Sequence, residues 1–301
     1  MAKVIRATAY SPGHASLIFG KVEEDNILLS GSFGAGIALS PGAIADVTVE
    51  PRNEVFDANV TVWDVDGKRA ESAETTLEAV NLFARKNAFK GILDVNIKLH
   101  FPLSQGFGMS AAGTLAALYA FAHSIQAPVM PAVECAHEAE IRCGTGLGDI
   151  AGIMAGGFSL RESAGIPPHS KARMLDIEGP VVACVVGPPI KTRDVITGER
   201  MKKITAVARE VMSLIGSDAM YVFRAARSFA ERSSLITQHV SEALKELPAE
   251  RSSMVMLGNS VIVLHPEERE IHALSGHGRV FSAAIDREGP KLLKIGAYSK
   301  A

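Results

Sequence analysis

In the first third of the chain, apolar and polar positions alternate in short runs, the period of two that marks strands with one buried face. Val4 to Ala9, Ile27 to Ser30, Gly36 to Leu39, Ala45 to Glu50 and Asn59 to Asp64 are the strands this pattern predicts. Turn chemistry bounds them at Ser40-Pro41-Gly42 and Asp66-Gly67. The period then lengthens. Leu77, Val80, Leu82, Phe83 and Ala84 fall at helical spacing within Thr75 to Asn87, with acids at the start and Arg85-Lys86 at the end, as the helix dipole favours. Ile97, Leu99 and Phe101 alternate with Lys98 and His100, a further strand that Pro102 closes. Ser110 to His123 is rich in Ala and Leu and reads as a helix. A third helix is predicted over Pro131 to Arg142, opened by proline in its first turn and ended before Gly144. The run Ala155 to Arg161 returns to strand.

The sharpest change of composition is Ala164-Gly165-Ile166-Pro167-Pro168-His169. A domain boundary is placed just behind it, dividing the chain into 1–170 and 171–301. In the second part Val181 to Val186, Ser260 to Leu264, Arg279 to Ile285 and Lys291 to Ile295 read as strands, and Lys202 to Ile215, Ala219 to Ser233 and His239 to Leu247 as helices. Strands mixed with paired helices suggest an α+β half of ferredoxin-like arrangement.

Composition narrows the classes of function. The 301 residues are 47% hydrophobic, enough for a substantial core, and the net charge of −2 argues against a nucleic-acid-binding protein. The three cysteines show no Cys-x-x-Cys spacing and cannot all pair with one another, so a reducing, cytoplasmic setting fits best. The amino terminus lacks the apolar core of a signal peptide, and no apolar run is long enough to span a membrane.

The chemistry concentrates in residues 102 to 113, Pro-Leu-Ser-Gln-Gly-Phe-Gly-Met-Ser-Ala-Ala-Gly, a glycine loop between a predicted strand and a predicted helix. Gly106 and Gly108 let the main chain approach a ligand, and the new helix offers unpaired N–H groups and the positive end of its dipole. An anion such as the phosphates of a nucleotide is the natural guest. The dinucleotide fingerprint does not fit, because the position about 20 residues on is Gln126 rather than an acid. No Gly-x4-Gly-Lys-Ser/Thr loop occurs, and neither His-Arg-Asp nor Asp-Phe-Gly is present. Elsewhere, Asp149 stands alone among small and apolar residues, where partial burial could tune a catalytic carboxylate. An N-cap for a short helix over Ile150 to Met154 is the competing reading.

The order Pro-x3-Gly-x-Gly-x-Ser-Ala-Ala resembles the nucleotide-binding motif of the GHMP kinases. Two further segments fall in that family's order: Tyr10-Ser11-Pro12-Gly13-His14-Ala15-Ser16-Leu17 resembles its first motif, and Gly144 to Asp149 followed by Gly156-Gly157 resembles its second active-site loop. The resemblance implies a two-domain α+β GHMP kinase fold, with a strand-rich nucleotide-binding half and a ferredoxin-like half. It also implies an ATP-dependent small-molecule kinase using Mg²⁺, and an assembly that could be a homodimer. Pro102, Gly106, Phe107, Gly108, Met109, Ser110, Ala111 and Ala112 would then hold the nucleotide, and Ser110 and Glu140 the metal. Asp149 would act as base or orient the acceptor hydroxyl. His14 stands where Lys or Arg is usual and is a second catalytic candidate, able to pair with Asp149 or contact substrate; Met109 stands where another Ser is usual, and Met256-Leu257-Gly258-Asn259-Ser260 is an eroded third motif.

These departures resemble the archaeal pantoate kinase branch of the family, which phosphorylates the primary hydroxyl of pantoate on the route to coenzyme A. That resemblance implies a site for a small carboxylate. Arg161, whose guanidinium matches a carboxylate in a bidentate fork, His137 and Ser32 are the substrate-contact candidates it carries. An acceptor such as mevalonate, homoserine or shikimate is the alternative within the family, and a catalytically silent nucleotide-binding homologue, which the eroded third motif permits, is the alternative outside enzyme function.

Overall fold

The computed structural model describes residues 3–190, 198–216 and 218–298. Its frame is a pair of long antiparallel strands, β1 (Val4–Val22) and β2 (Gly31–Pro51). The apolar run Ile27 to Ser30, expected as a strand, is instead the turn between them. Asn26 accepts hydrogen bonds there from the N–H of Leu28 at its side chain and of Leu29 at its carbonyl, which closes the chain on itself. Gly36 to Leu39 and Ala45 to Glu50 are parts of the single strand β2.

The pairing of β1 with β2 shifts between Ser11 and Gly13 and again between Ser16 and Ile18. Such bulges bend and twist a strand. Gly34 and Gly42 lie against them, and a Cβ at either would overlap β1 backbone. Between the two bulges His14 and Ser16, two residues apart, project from the same face.

Strand β3 (Asp57–Trp63) lies parallel to β4 (Gly91–Leu99), and β4 pairs with the second half of β2. Helix α1 (Glu74–Lys86) joins them. Next come α2 (Met109–Ser124), α3 (Met130–Cys143) and α4 (Asp149–Ala155). α2 is apolar on all sides and correspondingly buried, packed on β1 and β2. Phe83 of α1 meets Phe121 of α2 edge to face at 5.5 Å, fixing the two helices. Ala155, expected to open a strand, ends α4. Gly156 and Gly157, both at positive φ, turn the chain into β5 (Phe158–Arg161), which pairs with the first half of β2 and with β6 (Ala172–Leu175).

The remaining elements are β7 (Pro180–Val185), α5 (Gly198–Leu214), α6 (Ala219–Arg232), α7 (Gln238–Lys245), β8 (Ser252–Val255), β9 (Ser260–Leu264), α8 (Glu268–His277), β10 (Arg279–Ile285) and β11 (Lys291–Tyr298). Strands β10-β7-β9-β8 are neighbours in that order and antiparallel throughout. With helices connecting β7 to β8 and β9 to β10, this is the split βαβ arrangement of a ferredoxin-like half. Helix α8 was not expected from the apolar pattern, since only Ile271 and Leu274 mark its inner face. A reciprocal capping box between Glu267 and Glu270 starts it. Strand β10 reaches β2 and β11 pairs along β1, so sheet hydrogen bonds join residues on the two sides of position 170.

Candidate active site

The glycine loop leaves the end of β4 and enters α2. Phe101 and Phe107 stack at 4.8 Å across its base, so the loop stands on a rigid apolar foot. Gly106 (φ 85°) and Gly108 (φ 61°) adopt the left-handed region, and Gly108 is the residue before α2, with no side chain capping the helix. The first N–H groups of α2 therefore face outward, as an anion site requires.

Gln105 ties this loop to the third motif. Its Nε2 donates to the carbonyl of Gly187 at 3.0 Å and its Oε1 accepts from the N–H of Asn259 at 3.1 Å, in a nearly closed setting. A Cβ on Gly258 would overlap the Gln105 carbonyl carbon, so that glycine is needed for the contact. The eroded motif thus buttresses the glycine loop through backbone contacts, and Met256 and Leu257 reach the wall of the same cavity.

That cavity has a volume of about 820 Å³, within the range of small-molecule sites. Its walls come from the glycine loop, from Gly144 to Asp149, and from the segment before and into α1. Pro102, Gly106, Phe107, Gly108, Met109 and Ser110 all line it. Ala111 and Ala112 are fully buried and turn their methyl groups into the core, and the N–H of Ala112 is already bound to the Gly108 carbonyl.

Asp149 begins α4 and lies over Gly108, where its carboxylate faces the cavity with 23% of the side chain exposed. Gly148, not Asp149, is the N-cap of α4. His14 sits behind the carboxylate, wholly buried, its Nδ1 2.8 Å from Oδ1 of Asp149. On the far side of the ring, Nη1 of Arg161 lies 2.9 Å from Nε2. Ser16 stands 3.5 Å from the same Asp149 oxygen and lines the cavity.

The imidazole fits between Gly36 of β2 and Gly152 of α4, and a Cβ at either glycine would overlap its Nε2. Burial pushes His14 below the ordinary imidazole range, against the pull of its hydrogen bond to Asp149. Burial also lowers the Arg161 guanidinium to about 10, which leaves it charged at neutral pH. Arg161 is 1% exposed and therefore lies behind His14 rather than in the cavity wall. Its Nε and Nη2 have no hydrogen-bond partner.

Glu140 of α3 is buried beneath Gly146, behind the cavity wall rather than in it, with the Ile150 N–H beside its carboxylate. Burial first, and the nearby Asp149 charge second, hold its carboxyl well above the usual range. Ser32 of β2 lies against Gly148 at the cavity wall. His137 is placed elsewhere: its Nε2 is 3.0 Å from the carbonyl of Ser30 and 3.2 Å from that of Ile27, so it pins the β1–β2 turn. It is buried and does not line the cavity.

Sequence reasoning assigned no role to Ser16, Gln105, Gly36 or Gly152. Ser16 shares the alternation that brings out His14 and was legible in that sense. The others act through partners far along the chain, and no local spacing marks them.

The description "GHMP kinases N terminal domain" matches residues 74–157, which run from α1 through α4 and carry the glycine loop and Asp149. A pantoate kinase of Methanospirillum hungatei is 32% identical over 97% of this chain and 98% of its own length. A pantoate kinase of Thermococcus kodakarensis is 32% identical over 86% of this chain and 88% of its own. A solved structure described as a phosphotransferase related to the CoA biosynthesis pathway superposes with a TM-score of 0.81 at 28% identity, covering 96% of this chain and 98% of the other. The chain belongs to the GHMP kinase family, in the branch that holds the pantoate kinases.

Proposed function

We propose that this chain transfers the γ-phosphoryl group of ATP to the primary hydroxyl of pantoate, giving 4-phosphopantoate and ADP on the way to coenzyme A. The observation that carries the reading is the Asp149 carboxylate, fixed from behind by His14 and set against Gly108, where the phosphate loop meets α2. Phosphoryl transfer needs little covalent help from the protein; it needs an in-line acceptor and a stabilised phosphate. The acceptor hydroxyl donates its hydrogen bond to Asp149, which turns the oxygen toward the phosphorus. The backbone of Gly106 to Ser110 and the first turn of α2 hold the phosphates.

Mg²⁺ is the metal this family generally uses with ATP, and the residues present suit it. Glu140 offers a carboxylate with no side-chain partner just behind the wall at Gly146, and Ser110 a hydroxyl at the wall itself. Hard oxygen donors in small number are what Mg²⁺ takes from proteins. When bound, the ion neutralises phosphate charge. Exchanging Glu140→Gln is expected to raise the Mg²⁺ concentration needed for half-maximal rate by about 10-fold or more. A magnesium titration of the steady-state rate measures this, and an unchanged midpoint would remove Glu140 from the metal site.

For the carboxylate of pantoate, Ser32 supports recognition through its place at the wall, and Arg161, buried behind His14, through its positive charge on that side of the site rather than through direct contact. His137 is occupied with backbone carbonyls. The deciding experiment is release of ADP from Mg²⁺-ATP with pantoate, mevalonate, homoserine and shikimate as acceptors. Turnover with pantoate alone is expected; efficient turnover of mevalonate without pantoate would overturn the assignment.

A further inference from the structure

The arrangement of Arg161, His14 and Asp149 carries more than a list of neighbours. We propose that His14 is a positioning residue: Arg161 fixes its ring as the Nδ1–H tautomer, and that N–H holds one oxygen of Asp149 so that the carboxylate is aimed at the acceptor hydroxyl. This rests on Asp149 being the group that meets the hydroxyl.

The tautomer follows from donor chemistry. A guanidinium has only N–H donors and no acceptor. Nε2 of His14, 2.9 Å from Nη1 of Arg161, must therefore accept, and the single proton of a neutral ring stands on Nδ1. Nδ1 then donates to Oδ1 of Asp149 at 2.8 Å. A doubly protonated ring would oppose N–H to N–H across the Arg161 contact, in a site where the ring has no exposure to water.

Geometry removes the other ways out. Gly36 and Gly152 confine the ring from two sides, so it has little room to swing away from either partner. The main-chain N–H of His14 donates to the Phe107 carbonyl at 2.9 Å, which joins the histidine directly to the glycine loop. The contacts of His14 and of Ser16 with Asp149 both fall on Oδ1. One residue therefore couples the aim of the carboxylate to the position of the phosphate loop. A buried charged group that orients an imidazole, which in turn orients a reacting group, is a known way to fix a tautomer at a distance from the chemistry.

The test reads the proton itself. In the full chain labelled with ¹⁵N-histidine, His14 is expected to show a protonated Nδ1 and a bare Nε2, unchanged between about pH 6 and 8, where a free imidazole titrates. Asp149 and Arg161 are the ionisable groups in hydrogen-bond contact with the ring, and Glu140, whose carboxyl the Asp149 charge helps to raise, lies behind Asp149. Arg161→Lys, which keeps a charged donor, should keep that signature. Arg161→Met should mix in the Nε2–H form.

In kinetics, His14→Leu is expected to lose about 100-fold in kcat with KM for ATP within about 3-fold, in the range of losing an oriented acid–base partner. His14→Asn places an amide N–H near the former Nδ1 and should recover about 10-fold of that loss. An Nε2–H ring, a His14 titration that tracks the rate profile, or equal damage in the Asn and Leu variants would each overturn the proposal. These outcomes are separable from the choice of acceptor. If pantoate fails as substrate the spectrum still stands, and a wrong tautomer sinks the inference even with pantoate turnover intact.

Discussion

Exchanging Asp149 for Asn is expected to lower kcat by about 10² to 10⁴-fold, the usual worth of a positioned acid–base group, while ATP affinity stays within about 3-fold. Asn keeps the volume of Asp and its Oδ1 can still accept from Nδ1 of His14, so the hydrogen bond seen at 2.8 Å survives. What changes is the oxygen turned to the cavity, which becomes an NH₂ donor. A hydroxyl that must donate its proton then faces a donor, and the acceptor is no longer held in line. In the proposed function ATP is held by the glycine loop and the first turn of α2, and the exchange keeps the volume of the side chain that lies over Gly108. Steady-state ADP release and calorimetric ATP binding on the same preparation measure the two quantities. A variant with the parent's kcat would remove Asp149 from the chemistry.

A methyl group added at Gly152 is expected to be nearly as damaging, although it touches no ligand. Cβ of Gly152→Ala would overlap Nε2 of a ring that is fully buried, and Gly36 bars retreat on the other side. Either His14 moves, breaking its contact with Asp149 or with Arg161, or α4 shifts and takes Asp149 with it. Overpacking of this kind costs about 1–3 kcal/mol, and the loss of orientation should cost kcat about 100-fold, the scale of a misplaced reacting group. Gly276 is the control, another helical glycine with open space where a Cβ would stand. Gly276→Ala should leave kcat unchanged and hold or slightly raise Tm, since alanine is the better helix former. Thermal melts and kcat on the pair decide it; a Gly152→Ala protein with both values intact would refute the tight seating of His14.

The glycine loop shows where local reading succeeds. Ile97 to Phe101 alternates, Pro102 stops the strand, and Ser110 onward is Ala- and Leu-rich, so the loop with Gly106 and Gly108 was visible between a strand and a helix. Each of those signals depends only on near neighbours. Helix α8 escaped because its inner face carries two apolar side chains and its start is marked by Glu267 and Glu270, acids that also suit a solvated surface. The division of β2 into two expected strands failed for a similar reason. Ser40-Pro41-Gly42 has the composition of a turn, yet the strand continues through it opposite the Pro12 bulge. His137, three residues before Glu140, shares its helical face by spacing. Yet its imidazole ends on the carbonyls of Ile27 and Ser30, more than a hundred positions earlier in the chain.

The order of the motifs, the strand–glycine loop–helix unit and the isolation of Asp149 are properties of neighbouring residues; alone they point to a bound anion, and it is their resemblance to the GHMP kinase motifs that implies phosphoryl transfer. The assembly of Arg161, His14 and Asp149 is not such a property. It arises where β5, β1 and α4 meet, at separations of 147 and 135 residues. There burial and the donor-only chemistry of a guanidinium determine which nitrogen of His14 carries the proton. No spacing encodes a tautomer, because it depends on what the fold sets against each face of the ring.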